Sequence, residues 1–214
     1  MYYLALKMDI VASRRVPHRQ HLQERLFQAT TAVNGKYRAE LASLLTVTHG
    51  DEVQGMLPAS QARMSLPICE ELIDLLRPYD VRFGLGFGTL ATEVQEHAIG
   101  MDGETWHRAQ AALERAKKER KTFVIRGLPG DADTQITAIV DLLLSLRLRW
   151  SEQQREAARW LLELGTQKAA AERLNISPAA VSKRLSGCLW TQYEALRSVA
   201  MECVDQIVGE QAHR

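Results

Sequence analysis

The segment VRFGLGFGTLA, residues 81–91, restricts the fold more than any other part of the chain. Phe83, Leu85 and Phe87 alternate with glycines, so on a strand the two kinds of residue occupy opposite faces. A strand face without side chains allows another backbone or a ligand to approach closely. We therefore predict a strand with one apolar face and one face open to close contact.

Patterns in the rest of the first 130 residues predict a mixed domain of strands and helices. The predicted strands are residues 2–11, 44–48, 52–57, 81–91 and 122–128, and the predicted helices are residues 18–43, 60–76 and 104–118. Their order, β-α-β-β-α-β-α-β, is typical of an α+β fold of ferredoxin-like type. We expect the helices to cover one face of the sheet.

The length of the chain suits two domains. After Pro129 and Gly130 the pattern becomes helical, and we predict domains at residues 1–130 and 131–214. The 27 basic and 26 acidic residues nearly cancel. This balance argues against a non-specific polyelectrolyte, which needs many uncompensated cations to bind nucleic acid.

Cysteine spacing and hydropathy indicate the compartment. Cys69, Cys188 and Cys203 lie far apart and form no C-x-x-C pair, which disfavours a zinc site and a disulfide scaffold. No segment approaches the roughly 20 apolar residues of a membrane span. We expect a cytoplasmic protein that makes no membrane contact.

Residues 166–187, TQKAAAERLNISPAAVSKRLSG, predict a helix-turn-helix. Thr166 is placed to cap a first helix, and Asn175 occupies the turn position that usually requires a positive φ. Ser177 is placed to cap a second helix that starts at Pro178. A preceding amphipathic helix ends at Gly165. The expected internal packing residues are Ala170, Ala171, Leu174, Ile176, Val181 and Leu185.

The second helix of this motif has the short side chains and the cation that suit a DNA major groove. The predicted DNA-binding residues are Lys168, Ser177, Ala179, Ala180, Ser182, Lys183, Arg184 and Ser186. The spacing resembles the helix-turn-helix of LuxR-type regulators and of sigma-factor region 4. Plain helical bundles and protein-docking modules show similar spacing and stay open as alternatives. The apolar stripe from Tyr193 to Val208 either closes the domain or forms a homodimer on duplex DNA.

Acidic residues end the first strand and occupy the predicted hairpin. If the first strand is central and lies beside that hairpin, Asp9 and Asp51 converge at one edge of the sheet, where two carboxylates repel unless a cation or a proton intervenes. Mg²⁺ suits such a pair, because it takes one or two carboxylates and fills its shell with phosphate oxygens. Taken singly, each carboxylate also fits a plain strand-end or turn residue.

Two nearby segments bear on phosphate binding. The backbone of Val11, Ala12 and Ser13, followed by Arg14, is placed to hold phosphates. The mostly cationic run at residues 117–121 is interpreted instead as a solvated helix end that complements the helix dipole, with phosphate binding as the alternative.

The segments DIVASR, GDEVQG, VRFGLGFG and AALERAKKERK, in this order, resemble the palm-type domain shared by class III nucleotide cyclases and GGDEF diguanylate cyclases. The resemblance implies metal ligation by Asp9 and Asp51, with the Ile10 carbonyl as a further ligand and Glu52 nearby. Such a domain before a helix-turn-helix is similar to the SatD family over nearly the whole chain. The implied ligands are Mg²⁺ and a nucleoside triphosphate or a cyclic or dinucleotide.

The chain departs from the cyclase pattern at three positions. Where cyclases carry an asparagine and, four residues later, an arginine, the chain has His107 and Ala111, and His49 replaces the first glycine of the GGDEF hairpin. Loss of the arginine removes charge stabilisation that phosphoryl transfer uses. We therefore expect a DNA-binding transcriptional regulator that binds a nucleotide. The alternatives are a cyclase-like enzyme with an accessory helix-turn-helix and a non-catalytic docking adaptor.

Overall fold

The computed structural model describes residues 1–13, 16, 18–48 and 50–212, the side chain of the last residue excepted. The strands are β1 (Tyr2–Ile10), β2 (Ser43–Val47), β3 (Glu52–Pro58), β4 (Val81–Thr89) and β5 (Phe123–Arg126). The helices are α1 (Arg19–Lys36), α2 (Ser65–Leu75), α3 (Glu104–Glu119), α4 (Ala132–Arg149), α5 (Glu152–Leu164), α6 (Gln167–Leu174), α7 (Pro178–Gly187) and α8 (Trp190–Ala212). A 3₁₀ helix, Ala59–Met64, leads into α2. Within these ranges no helix is both long and apolar enough to span a bilayer.

The five strands form one sheet in the order β2-β3-β1-β4-β5. The neighbours of β1 and the β2–β3 pair are antiparallel, and β5 adds parallel to β4. The first four strands thus have the order and directions of two interleaved βαβ units, as in ferredoxin-like folds. The predicted mixed α+β class and the central position of β1 beside the hairpin are confirmed.

Helices cover both faces of the sheet, so the prediction of one covered face is wrong. Residues of α1, α2 and α4 share a buried core with the side chains of Leu4, Leu6 and Phe83. Helix α3 lies on the opposite face, over the glycines of β4. The physical reason lies in β4, whose glycines carry no side chains on that face and let the α3 backbone pack directly on the strand.

Two helix boundaries also differ from the prediction. Helix α1 ends at Lys36 instead of residue 43, since the backbone N of Glu40 donates to the carbonyl of Tyr37 in a turn that leads into β2. The helix expected from residue 60 begins as a 3₁₀ helix and becomes α-helical at Ser65. Both differences shorten α-helices and leave their apolar faces in the core.

Helix α4 closes the free edge of β5 with its side chains. Asp141 Oδ1 accepts hydrogen bonds from the backbone N of Thr122 and Phe123 at 2.7 and 3.0 Å. Thr137 Oγ1 accepts one from the backbone N of Ile125 at 3.1 Å. These bonds satisfy strand donors that would otherwise lack partners. A division at residue 130 stays a prediction, and α4 makes close contact across it.

The caps and the turn predicted around residues 166–187 are confirmed. The Thr166 and Ser177 side chains accept hydrogen bonds from the backbone N of Ala169 and Ala180, both at 3.1 Å. Asn175 has a left-handed φ of 53° between α6 and α7. The expected packing residues are buried or partly buried within the chain. What this pair of helices binds stays a prediction.

The apolar stripe of α8 packs inside the chain, as in the first of its two predicted roles. Tyr193, Ala200, Val204 and Val208 are buried in the core that includes α4. A homodimer through α8 stays a prediction, with Val199 exposed on the same helix.

Candidate functional site

Charged side chains meet at one end of the three central strands. Asp9 on β1 lies opposite Glu52 on β3 and opposite Arg82 on β4. Directly opposed residues on neighbouring strands point to the same sheet face. The three side chains therefore share a face, and Asp51 belongs to the turn just before Glu52.

A cavity of about 800 Å³ opens at this end of the sheet. Its lining includes the four residues predicted for the metal, Asp9, Ile10, Asp51 and Glu52, and the phosphate-binding candidates Val11, Ala12 and Ser13. Arg19, Arg82 and Lys117 complete the lining, and sequence reasoning did not select them for this site. Arg14 and His49, which the sequence analysis named, lie outside the described residues.

The chain turns sharply where β1 ends. The backbone N of Val11 donates to the carbonyl of Asp80 at 2.8 Å, and Ala12 then takes a left-handed φ of 56°. This turn places the backbone of residues 11–13 along the cavity. Arg19 begins α1, and its guanidinium lies beside Gly50 in the turn that precedes Asp51.

Lys117 on α3 reaches the same carboxylates. Its Nζ lies 3.7 Å from Asp9 Oδ2, 3.7 Å from Glu52 Oε1 and 3.4 Å from Glu114 Oε1. The side chain is 28% exposed. The interpretation of residues 117–121 as a solvated helix end is therefore wrong for Lys117, whereas Lys118 is exposed as expected.

The glycines of β4 explain why Lys117 reaches the site. A Cβ on Gly86 would lie 2.2 Å from the backbone N of Ala109, and one on Gly84 would lie 2.2 Å from that of Leu113. Two strand residues span about 6.6 Å and four helix residues about 6 Å. Moving two residues back along β4 and four residues on along α3, the same spacing places Arg82 beside Lys117. That spacing was readable in the sequence once α3 was placed on the glycine face.

The carboxyl of Asp9 is in an unfavourable place for a negative charge. Burial raises the pKa of Asp9 above its ordinary value; Lys117 opposes the shift, and Asp51 and Glu52 add to it. For Lys117, burial acts to lower the pKa, but Asp9, Glu114 and Glu52 together raise it. Lys117 therefore stays an ammonium ion beside two carboxylates that repel each other.

Lys7 lies two residues before Asp9 on the same strand face. Burial lowers the pKa of Lys7, and its Nζ donates to Gln110 Oε1 on α3 at 2.7 Å. Two polar contacts therefore join β1 to α3 on this face: Lys7 with Gln110, and, at the cavity, Asp9 with Lys117.

Asp9 and Glu52 supply the one or two carboxylates that a magnesium ion takes from a protein. Lys117 Nζ contacts Asp9 and Glu52 from one position, so a single cation can be shared by both residues. No group of three or more His, Cys, Asp and Glu side chains suited to a metal occurs among the described residues. Magnesium is commonly held by one or two carboxylates and by substrate phosphates, whereas zinc and calcium require more protein ligands.

His107 and Ala111 lie away from this site. His107 is on the first turn of α3, 75% exposed, with Nε2 3.0 Å from Asp102 Oδ1. Ten residues separate it from Lys117, which is about 15 Å along the helix. Within one chain, α3 therefore brings Lys117 to the carboxylates, whereas His107 and Ala111 are not among the residues that line the cavity.

The residues predicted for DNA contact lie on or beside α6 and α7, and their exposure differs. Lys168, Ser177, Ala179, Ser182, Lys183 and Ser186 are exposed, and Ala180 is half-buried. The Arg184 side chain is only 22% exposed, and its Nη1 lies 3.8 Å from Glu156 Oε2 on α5. Arg184 is thus engaged within the helical region, while Lys183 is free of such a contact in the described structure.

Sequence comparison gives the relationship of the chain to known proteins. The SatD family profile matches residues 3–204, nearly the whole chain. The chain belongs to the SatD family. No curated protein matches this SatD sequence.

Several solved structures are similar to this SatD protein at low identity. A bacterial light-regulated adenylyl cyclase shares 16% identity, over 58% of this chain and 74% of that chain, with a TM-score of 0.46. The GGEEF domain of a diguanylate cyclase from Vibrio cholerae shares 11%, over 56% and 78%, with a TM-score of 0.37. A regulator of polyketide synthase expression from Bifidobacterium adolescentis shares 14%, over 100% and 82%, with a TM-score of 0.32.

Proposed function

We propose that this SatD protein binds a nucleoside polyphosphate together with Mg²⁺ in the cavity at the ends of β1 and β3. The observation that carries the proposal is the sharing of one cation, the Lys117 ammonium, by Asp9 and Glu52. Two converging carboxylates beside a tight backbone turn suit a metal–phosphate ligand.

Each part of the cavity has a separate role in this proposal. Asp9, with Asp51 or Glu52 and the carbonyl of Ile10, holds the metal ion, which supplies the positive charge that neutralises the phosphates. The backbone of residues 11–13 and the guanidinium groups of Arg19 and Arg82 hold phosphate oxygens. The same donors suit a linear triphosphate, a cyclic nucleotide or a dinucleotide.

Ligand-induced stabilisation tests this proposal. A ligand that binds only the folded state at 100 times its Kd raises the free energy of unfolding by about 2.7 kcal/mol. We expect ATP, GTP or a cyclic dinucleotide to raise the Tm only when Mg²⁺ is present, and Asp9→Asn to abolish the rise. Asp80→Asn, an exposed carboxylate outside the cavity lining, is the matched control. Equal stabilisation of the wild type and Asp9→Asn would contradict the site.

We expect binding without rapid turnover, because the asparagine and arginine of the cyclase pattern are replaced here by His107 and Ala111. Nucleotidyl transfer needs a cation placed for the transition state, and the cavity offers Arg19, Arg82 and Lys117 instead of the arginine of that pattern. Pyrophosphate release from ATP or GTP tests the enzyme alternative. Sustained release that Asp9→Asn eliminates would favour a cyclase-like enzyme.

We further propose that α6 and α7 form a helix-turn-helix that binds duplex DNA, with nucleotide occupancy biasing this contact. The supporting observation is the capped second helix with an exposed face that carries Lys183 and small residues. Fluorescence anisotropy at low salt tests it: Lys183→Ala should weaken binding and reduce its salt dependence. Because Arg184 contacts Glu156, Arg184→Ala should have the smaller effect. Absence of duplex affinity in the wild type would favour a protein-docking adaptor.

A further inference from the structure

We infer that Lys117 takes the place of the metal ion while the site is empty of metal, and that it must leave the carboxylates when nucleotide and Mg²⁺ bind. The metal ion and the nucleotide then bind cooperatively, because each is disfavoured without the other. This inference rests on the proposed function and adds how the binding of each ligand affects the affinity for the other.

The first argument is the geometry of the shared cation. Lys117 Nζ is equidistant, at 3.7 Å, from one oxygen of Asp9 and one oxygen of Glu52. Both carboxylate side chains are mostly buried, with 15% and 30% exposure. A metal ion and an ammonium ion cannot occupy the space between the same two carboxylates, because like charges repel strongly in a partly desolvated site.

The second argument is that the helix backbone cannot carry Lys117 away. The backbones of α3 and β4 are in direct contact at Gly84 and Gly86, where even an added methyl group would collide with the helix. Close packing of this kind leaves side-chain rotation as the low-energy motion. Lys117 therefore leaves the carboxylates by turning its own flexible side chain.

The third argument is that Lys117 already has another partner. Glu114, one turn earlier on α3, holds an oxygen 3.4 Å from Lys117 Nζ, and its side chain is 58% exposed. An ammonium that turns away from Asp9 thus keeps a carboxylate neighbour at the solvent side. It also stays on the lining of the cavity, where the phosphates of a nucleotide would provide a second negative partner.

These contacts predict how the ligands depend on each other. A metal ion alone must compete with an ammonium that is tethered to the site and therefore present at high effective concentration. When a nucleotide is bound, its negatively charged phosphates interact with the displaced Lys117 ammonium. This interaction offsets the loss of the contacts between Lys117 and the two carboxylates. By thermodynamic linkage, nucleotide must tighten metal binding by the same factor as metal tightens nucleotide binding.

The experiment compares Lys117→Met with Lys118→Met in the full chain. Methionine keeps an unbranched side chain and removes the charge, and position 118 makes the same change outside the site. Titration calorimetry gives the affinity for Mg²⁺ alone, for a non-hydrolysable triphosphate analogue alone, and for both together. Loss of two partly exposed ion pairs predicts that Lys117→Met binds Mg²⁺ alone about tenfold more tightly. The same variant should bind the Mg²⁺–analogue complex more weakly than the wild type.

Opposite changes in the two affinities support the inference, because general damage to the fold would weaken both. If Lys117→Met leaves the Mg²⁺ affinity at the wild-type value, the inference is overturned while the proposed function stands. If wild type and both variants bind neither Mg²⁺ nor the analogue, the proposed function fails as well. The wild type alone gives an independent check: equal Mg²⁺ affinity with and without the analogue would also overturn the inference.

Discussion

The carboxylate of Glu70 on α2 accepts hydrogen bonds from Nε of Arg197 on α8, at 2.9 Å to each of its two oxygens. The Glu70 side chain is 5% exposed and that of Arg197 is 17% exposed. Tyr193 Oη donates a further hydrogen bond to Glu70 at 2.6 Å. A buried charged contact therefore ties the helix before β4 to the last helix of the chain.

We predict that removing one partner of this contact is strongly destabilising. Arg197→Met removes the hydrogen bonds of Nε to the buried Glu70 carboxylate, which keeps the Tyr193 hydrogen bond and the charge of nearby Arg147. Losing hydrogen bonds to a charged group should cost about 1.5–3 kcal/mol. Glu70→Gln together with Arg197→Met should cost less than the sum of the two single changes. Urea unfolding of the four proteins measures both effects. Additive losses would show that the two residues do not interact energetically.

We predict that Asp9→Asn stabilises the ligand-free protein. Because the pKa of Asp9 is raised in the folded state above its ordinary value of 3.8, the folded state binds a proton more tightly than the unfolded state does. The stability that this proton confers is present below the ordinary pKa and is lost as the pH rises through the folded-state value. The stability difference between Asp9→Asn and wild type should therefore increase as the pH rises from about 4 through the folded-state pKa of Asp9, and then level off.

Thermal unfolding across this pH range measures the difference. Asp80→Asn, near the site but outside the cavity lining, is the control for the general effect of losing a carboxylate. If Asp9→Asn is less stable than wild type at neutral pH, then the ionised carboxylate contributes favourably to the ligand-free fold.

We predict that alanine is not tolerated on the glycine face of β4. At Gly86 a Cβ would lie 2.2 Å from backbone atoms of Ala109 and Thr105, which cannot move without displacing α3. Gly86→Ala should cost about 3 kcal/mol or more. Gly35→Ala is the matched control, because nothing lies within 4 Å of its Cβ position in α1, and it should stabilise by up to about 1 kcal/mol. Similar Tm values for the two variants would mean that α3 does not pack as described.

We predict that Asp141→Ala exposes the edge of β5. One carboxylate oxygen of Asp141 accepts hydrogen bonds from the backbone N of both Thr122 and Phe123. A buried donor left without a partner costs roughly 1–3 kcal/mol. Amide hydrogen exchange should accelerate at these two residues first. Asp205→Ala, a partly exposed position on α8, provides the comparison. Unchanged exchange at Thr122 and Phe123 would show that other groups protect this edge.

The sequence was sufficient for the elements whose patterns are local. The alternation in β4, the cap residues Thr166 and Ser177 and the left-handed Asn175 all depend on neighbours within a few positions. The meeting of Asp9 with the hairpin followed from one topological rule, the central position of β1. These features required no knowledge of how the helices pack.

Features set by long-range packing were missed. Lys117 joins the site only because α3 lies on the glycine face of β4, and the glycine pattern alone did not decide whether a helix or a ligand covers that face. Arg82 joins it through the β1–β4 register, which places it opposite Asp9. The role of α4 at the edge of β5 depends on single side chains spaced along a helix, Asp133, Thr137 and Asp141. Polar residues at such spacing are equally typical of a solvated helix surface.

The closure of β5 by α4 also affects how the chain is made. Synthesis proceeds from the N-terminus, and domains fold as they leave the ribosome. When β5 has emerged, the backbone donors of Thr122, Phe123 and Ile125 still lack Asp141 and Thr137. A nascent chain at that stage carries an unpaired strand edge that can pair with neighbouring polypeptides. The emergence of α4 after β5 ends the interval in which this edge is unpaired.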